Sequence, residues 1–138
     1  MNANIRTVTV SWVGDARFEG ITSTGESSII DADGPTAPGP MHLLLMALAG
    51  CTGADVVAIA EKMRVDLTRF EVEVSGTRRE EYPKRFIAIH LIFRMAGEGI
   101  TEAKARRAID LSLSTYCSVV ASLAPDIPIT YDLELPGS

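Results

Sequence analysis

The segment MHLLLMALAGCTGADVVAIAEKM, Met41 to Met63, most limits how this chain can fold. Its alanines, leucines and methionines favour helix, and Pro40 suits the first helical turn, where its missing N–H would be unpaired anyway. From Leu43 to Ala49 every residue is apolar, which leaves no polar face to turn toward water. The stretch therefore reads as a core helix buried on all sides. A membrane span is the other fate of such a run, and Gly50, Cys51, Thr52, Gly53, Ala54 and Asp55 weaken that reading by interrupting it. A chain of 138 residues has little else with which to surround the helix. The missing cover is expected from a second copy, in an intertwined homodimer that buries well over roughly 2,000 Å².

Before the helix, TVTVSWV and the apolar residues Phe18, Ile21, Ile29 and Ile30 suggest short strands turning at Gly14-Asp15 and Thr24-Gly25. DADGPTAPGP, Asp31 to Pro40, holds three of the seven prolines and reads as a loop. After the helix, alternation over Phe70, Val72 and Val74, and again over Ile87, Ile89, Leu91 and Phe93, predicts a long antiparallel hairpin with a polar turn at Glu80 to Lys84. Thr101 caps a second helix, expected to run to Leu123 with Ala105, Ala108, Ile109 and Leu113 inward, where Pro125 and Pro128 stop it. Ile127 to Leu135 alternate as a last strand. The fold class is α+β, in the order βββ-α-ββ-α-β, as one domain over residues 1–138.

Thirteen basic and 18 acidic residues give a net charge of −5, which disfavours nucleic acid as a partner. The mixed charges from Arg78 to Arg85 read as a solvated turn. Lys104, Arg106 and Arg107 read as a polar helix face, with Asp110 spaced to pair with Arg106. MNANIRTVTV lacks the apolar core and cleavage site of a signal peptide, so a cytoplasmic location with no membrane partner is expected. Two cysteines are too few for a disulfide framework and form no C-x-x-C pair. Taken alone, Cys51 reads as a small buried hydrophobe, although Gly50 and Gly53 beside it cost roughly 1 kcal/mol each in a helix and suggest close packing or access. Cys117, in STYCSVVASL, is equally uninformative by itself.

Together they say more. PGPMHLLLMALAGCTGADV, followed after the hairpin by LSLSTYCSVVASLAPDIPITYDLEL, resembles the OsmC/Ohr family of osmotically inducible and organic hydroperoxide resistance proteins. The resemblance covers nearly the whole chain, with Trp12 in the strand region, the Pro-Gly loop, P-x-x-L-L-x-A-x-A-x-C and Y-C-S-V in the family's order. It implies an OsmC-like fold and a thiol-dependent peroxidase, with its site at a homodimer interface and no cofactor. Cys51 would attack an organic hydroperoxide and become a sulfenic acid, Cys117 would resolve it as a disulfide, and an external thiol reductant would restore both. An arginine from the N-terminal strands would favour the thiolate; Arg17 in GDARFEG is the positional match and Arg6 the fallback.

One departure stands out. Strongly peroxidatic relatives carry an acidic residue after the proline that opens the central helix, whereas Met41 and His42 follow Pro40 here. His42 does not replace it, since nine helical residues set it ~13 Å along the axis from Cys51 and on nearly the opposite face. The alternative is a non-peroxidatic OsmC-like protein that binds a small apolar ligand. A zinc set of Cys51, Cys117, His42 and His90 lacks close ligand spacing, and no metal is expected.

Overall fold

The computed structural model describes residues 4–136, so both ends of the expected 1–138 domain, and the start of the leader reading, lie outside the described residues. The chain forms two compact units, Met1–Leu44 and Leu45–Ser138, and their boundary falls within one helix.

In the first unit, β1 (Val8–Gly14), β2 (Arg17–Thr22) and β3 (Ser27–Asp31) form the expected antiparallel meander. Gly14 and Asp15 take positive φ at the first turn and Gly25 at the second, where glycine carries no Cβ penalty. Asp31 closes β3 and is buried. Its carboxylate accepts the Asp33 N–H at 3.1 Å, the Thr36 N–H at 3.2 Å and the Thr36 hydroxyl at 2.7 Å. One side chain thus organises the proline-rich loop that leads into helix α1 (Pro40–Lys62).

The second unit holds the rest of α1. Leu48, Thr52, Val56 and Ala60 recur every four residues and are buried with Gly53, while Met46 and Val57 on other faces are 53% and 44% exposed. The expectation of a helix buried on all sides is therefore not met within one chain, because its own elements cover a single stripe. By length and composition alone, with a mean hydropathy of 2.0 in its most apolar window, α1 is also long and apolar enough to cross a membrane. Thr52 and Asp55 argue for a core helix instead, as they are hydrogen-bonded to Cys117 and Ser112 of the same unit.

Strands β4 (Asp66–Arg78) and β5 (Phe86–Glu98) form the antiparallel hairpin, and β6 (Ile129–Glu134) joins β5 in parallel. Phe86, Ile89, Leu91, Phe93 and Met95 of β5 are buried. Ile87, expected inside, is exposed: the ladder pairs Thr77 with Ala88 and Arg78 with Phe86, which leaves Ile87 as the extra residue of a bulge. Phe86 turns inward in its place, over Gly76, where a Cβ would overlap its ring. The hairpin's basic residues fasten the turn as well as solvate it, since Arg78 Nε donates to the Lys84 carbonyl at 2.7 Å and Arg79 Nε to that of Pro83 at 2.6 Å.

Thr101 caps α2 (Glu102–Leu111) as expected, accepting the Lys104 N–H at 3.1 Å. Ala105, Ala108 and Ile109 are buried. Asp110 takes the Tyr131 hydroxyl at 2.8 Å, and Arg106 instead lies 3.7 Å from Glu102. The helix does not run unbroken to Leu123. It widens into a π-turn over Ser112–Tyr116, closed by the Cys117 N–H on the Ser112 carbonyl at 2.8 Å, and resumes as α3 (Ser118–Ser122). Hydroxyl side chains compete for the backbone here: Ser114 Oγ donates to the Asp110 carbonyl at 2.7 Å.

The Asp31 carboxyl is held below its ordinary value of 3.8, chiefly by the Thr36 hydroxyl, which outweighs the effect of burial. A depressed carboxyl contributes stability above its unfolded value and loses it as pH falls through the folded one. Urea unfolding followed from neutral pH to below pH 3.8 should show a steeper acid loss in the wild type than in Asp31→Asn.

Candidate functional site

Cys51 lies half-buried on α1, and Asp55 follows one helical turn later on the same face. Cys117 occupies the break between the π-turn and α3, extended at φ −71° and ψ 108°, with 4% of its surface exposed. The two sulfurs and an Asp55 oxygen all lie within 4.8 Å of one another. Both thiols are free.

Two fully buried hydroxyls aim these groups. Thr52, next to Cys51, donates to Cys117 Sγ at 3.3 Å, and Ser112, the first residue of the π-turn, donates to Asp55 Oδ2 at 2.8 Å. The Val120 N–H adds a long contact to Cys117 Sγ at 3.5 Å. The widened turn is what offers Ser112 to Asp55 and releases Cys117 from helical geometry at once. Burial pushes the Cys117 thiol up from 9.0, and the neighbouring Cys51 adds to this, while the Thr52 and Val120 hydrogen bonds offset it only in part. A cleft of about 510 Å³ is lined by Asp55, Ile59, Lys62, Arg107 and Tyr116 among others.

The flanking glycines differ in purpose. A Cβ on Gly53 would meet the Phe70 ring at 3.1 Å, so close packing against β4 explains it, whereas among the described residues nothing outside the helix's own backbone lies within 4 Å of the same position on Gly50.

The sequence-derived candidates separate accordingly. Cys51 and Cys117, 66 positions apart, are brought together. Arg17 lies in the first unit, half-buried and paired in register with Asp31, and its Nε has no hydrogen-bond partner among the described residues. Arg6 is exposed ahead of β1, and His42 is exposed in the first turn of α1. His90 is engaged away from the thiols, with Nδ1 2.6 Å from Thr130 Oγ1 and Nε2 3.0 Å from Asp132 Oδ2, which removes it from the zinc set considered above. Asp55, Thr52 and Ser112 join the site beyond the residues that the motifs mark. The first had a usable signal, since C-x-x-x-D on a helix puts the carboxylate over the cysteine; the π-turn that brings in Ser112 had none.

Comparison with known proteins places the chain as a whole in a family. Residues 32–132 match the family described as OsmC-like protein. Protein YhfA of Escherichia coli K12 is 39% identical over 127 residues, covering 91% of this chain and 95% of its own length. A hypothetical protein from Aquifex aeolicus has a crystal structure that superposes with a TM-score of 0.83 at 28% identity, over 96% of this chain and 98% of that one. The organic hydroperoxide resistance protein OhrB of Bacillus subtilis shares the fold, with a TM-score of 0.62 at 18% identity over 94% and 98% of the two chains.

Because its thiol is pushed up, Cys117 should alkylate more slowly than an ordinary thiol at neutral pH, with a rate that is still rising above pH 9.0 where an ordinary thiol levels off. Mass spectrometry of iodoacetamide-treated protein across pH 6 to 10 follows it, and Thr52→Val, which removes one donor to the sulfur, should move that rise still higher.

Proposed function

The chain belongs to the OsmC-like protein family, and on that footing we propose that it is a cytoplasmic thiol-dependent peroxidase that reduces organic hydroperoxides. The observation that carries this reading is the meeting of Cys51 and Cys117 sulfurs within 4.8 Å, from elements far apart in the chain. Packing alone would accept alanine, serine or valine at both positions without redox liability.

In this account the Cys51 thiolate attacks the distal peroxide oxygen. The O–O bond breaks, the alkoxide leaves and takes up a proton to become the alcohol, and the sulfur becomes a sulfenic acid. The Cys117 thiol then displaces the sulfenic oxygen as water, and an S–S bond forms. Two equivalents of an external thiol return the site to the dithiol, themselves becoming a disulfide. The half-burial of Cys51 suits attack on an apolar hydroperoxide, and the elevated Cys117 thiol suits a group held in reserve for the second step. Arg17 is assigned the cation that favours the thiolate, by the family resemblance. Met41 in place of an acidic partner for that arginine is expected to limit the rate.

A homodimer completes the reading. Val10, Trp12, Met46 and Val57 are 51%, 69%, 53% and 44% exposed in a single chain, more large apolar surface than a monomer of this size ordinarily leaves in water. Sedimentation at micromolar concentration should give a dimer, and a stable folded monomer would contradict it.

For the reaction itself, Cys51→Ser should abolish hydroperoxide consumption. Cys117→Ser should allow a single turnover and then accumulate Cys51 sulfinic acid, read by mass spectrometry. Arg17→Ala should slow the first step on the order of tenfold, the equivalent of one unit of thiolate stabilisation, in stopped-flow measurement.

A further inference from the structure

Two thiols and a carboxylate within 4.8 Å of one another form a donor set in its own right. Tetrahedral zinc with metal–sulfur distances near 2.3 Å separates two thiolates by roughly 3.8 Å, so the observed spacing needs an adjustment of about 1 Å at most. The surroundings fit as well. Metal-bound thiolates and carboxylates are commonly held by an outer ring of donors. Here the Thr52 hydroxyl and Val120 N–H point at Cys117 Sγ, and the Ser112 hydroxyl points at Asp55 Oδ2, with Thr52 and Ser112 fully buried. Of the three donors, Asp55 lines a cleft of about 510 Å³, which gives the set an approach from one side. Two sulfurs select a thiophilic ion over magnesium or calcium.

We propose that Cys51, Asp55 and Cys117 bind one divalent thiophilic cation, with zinc the best match, when both thiols are reduced, and that disulfide formation releases it. The binding half stands on the donor geometry alone, while the release half rests on the peroxidase reading. In release, a hydroperoxide and two protons convert the metal-bound dithiolate into a disulfide, the alcohol, water and the free divalent ion. Because a disulfide no longer offers two thiolates, each hydroperoxide reduced frees one ion, and metal release reports oxidation of the site.

Cobalt(II) is the probe of choice, because thiolate coordination gives near-ultraviolet charge-transfer absorption and tetrahedral geometry gives strong visible bands. Anaerobic titration of the reduced full-length protein should saturate at one cobalt per chain with both signatures, and zinc should displace it. Cys51→Ser and Cys117→Ser should lose the charge-transfer band, and Asp55→Asn should weaken binding at least tenfold. Ser112→Ala, which leaves all three ligands in place, should weaken it about 10- to 100-fold. His90→Gln should have no effect. Addition of an organic hydroperoxide to the zinc-loaded protein should free one zinc per disulfide, measured with a chromophoric chelator. Absence of stoichiometric binding in a protein that still consumes hydroperoxide overturns the metal site alone, as does cobalt binding that is equal in wild type, Cys51→Ser and Asp55→Asn. Metal retained on hydroperoxide addition with no disulfide formed, while the metal-free protein still forms the disulfide, overturns the release step; no disulfide in either form overturns the peroxidase reading with it.

Discussion

The thiol site depends on two buried hydroxyls. Thr52 ties α1 to Cys117 and Ser112 ties the π-turn to Asp55, at 3.3 Å and 2.8 Å. Each such bond contributes about 0.5–1.5 kcal/mol net, while a buried hydroxyl left without its partner costs about 1–3 kcal/mol. The asymmetry matters here, because Thr52 and Ser112 have no access to water. Displacing the π-turn from α1 would strand both at once, so the chain keeps the two sulfurs in one place even though no covalent bond joins them.

The same constraint explains the irregular second helical arm. A continuous α-helix through Ser112–Tyr116 would place Cys117 on a regular helical face and fix its N–H on a carbonyl four residues back. The wider turn pairs that N–H with Ser112, five residues back, and lets Cys117 adopt an extended conformation at the entrance to α3. Short π-turns inside helices are costly and cluster at functional positions, and this one adjoins a buried thiol.

Much of this architecture is legible in the sequence. Alternation marks the meander and the hairpin, Pro40 and Thr101 mark where helices begin, and the order of elements follows. What escapes has identifiable physical causes. Alternation alone cannot report a bulge, so Ile87 and Phe86 exchange roles. The apolar run of α1 correctly signals burial but not its source, since the single chain covers only the stripe through Leu48, Thr52, Val56 and Ala60. The helix break is invisible to periodicity because Leu113 continues the apolar pattern. At the site, family motifs rather than composition point to the two cysteines, and from sequence Asp55 reads as an interruption of an apolar segment. Helical spacing was enough to put it beside Cys51; the buried serine that orients it came only with the tertiary structure.

The central claim is that the two thiols act as a redox pair. It is tested most directly by treating fully reduced protein with one equivalent of an organic hydroperoxide, digesting it without reductant, and mass-mapping the peptides. The account predicts a Cys51–Cys117 linked peptide, formed in proportion to the hydroperoxide consumed. Both cysteines recovered as free thiols with the hydroperoxide intact, or Cys51 oxidised to sulfinic acid while Cys117 stays reduced, would contradict it.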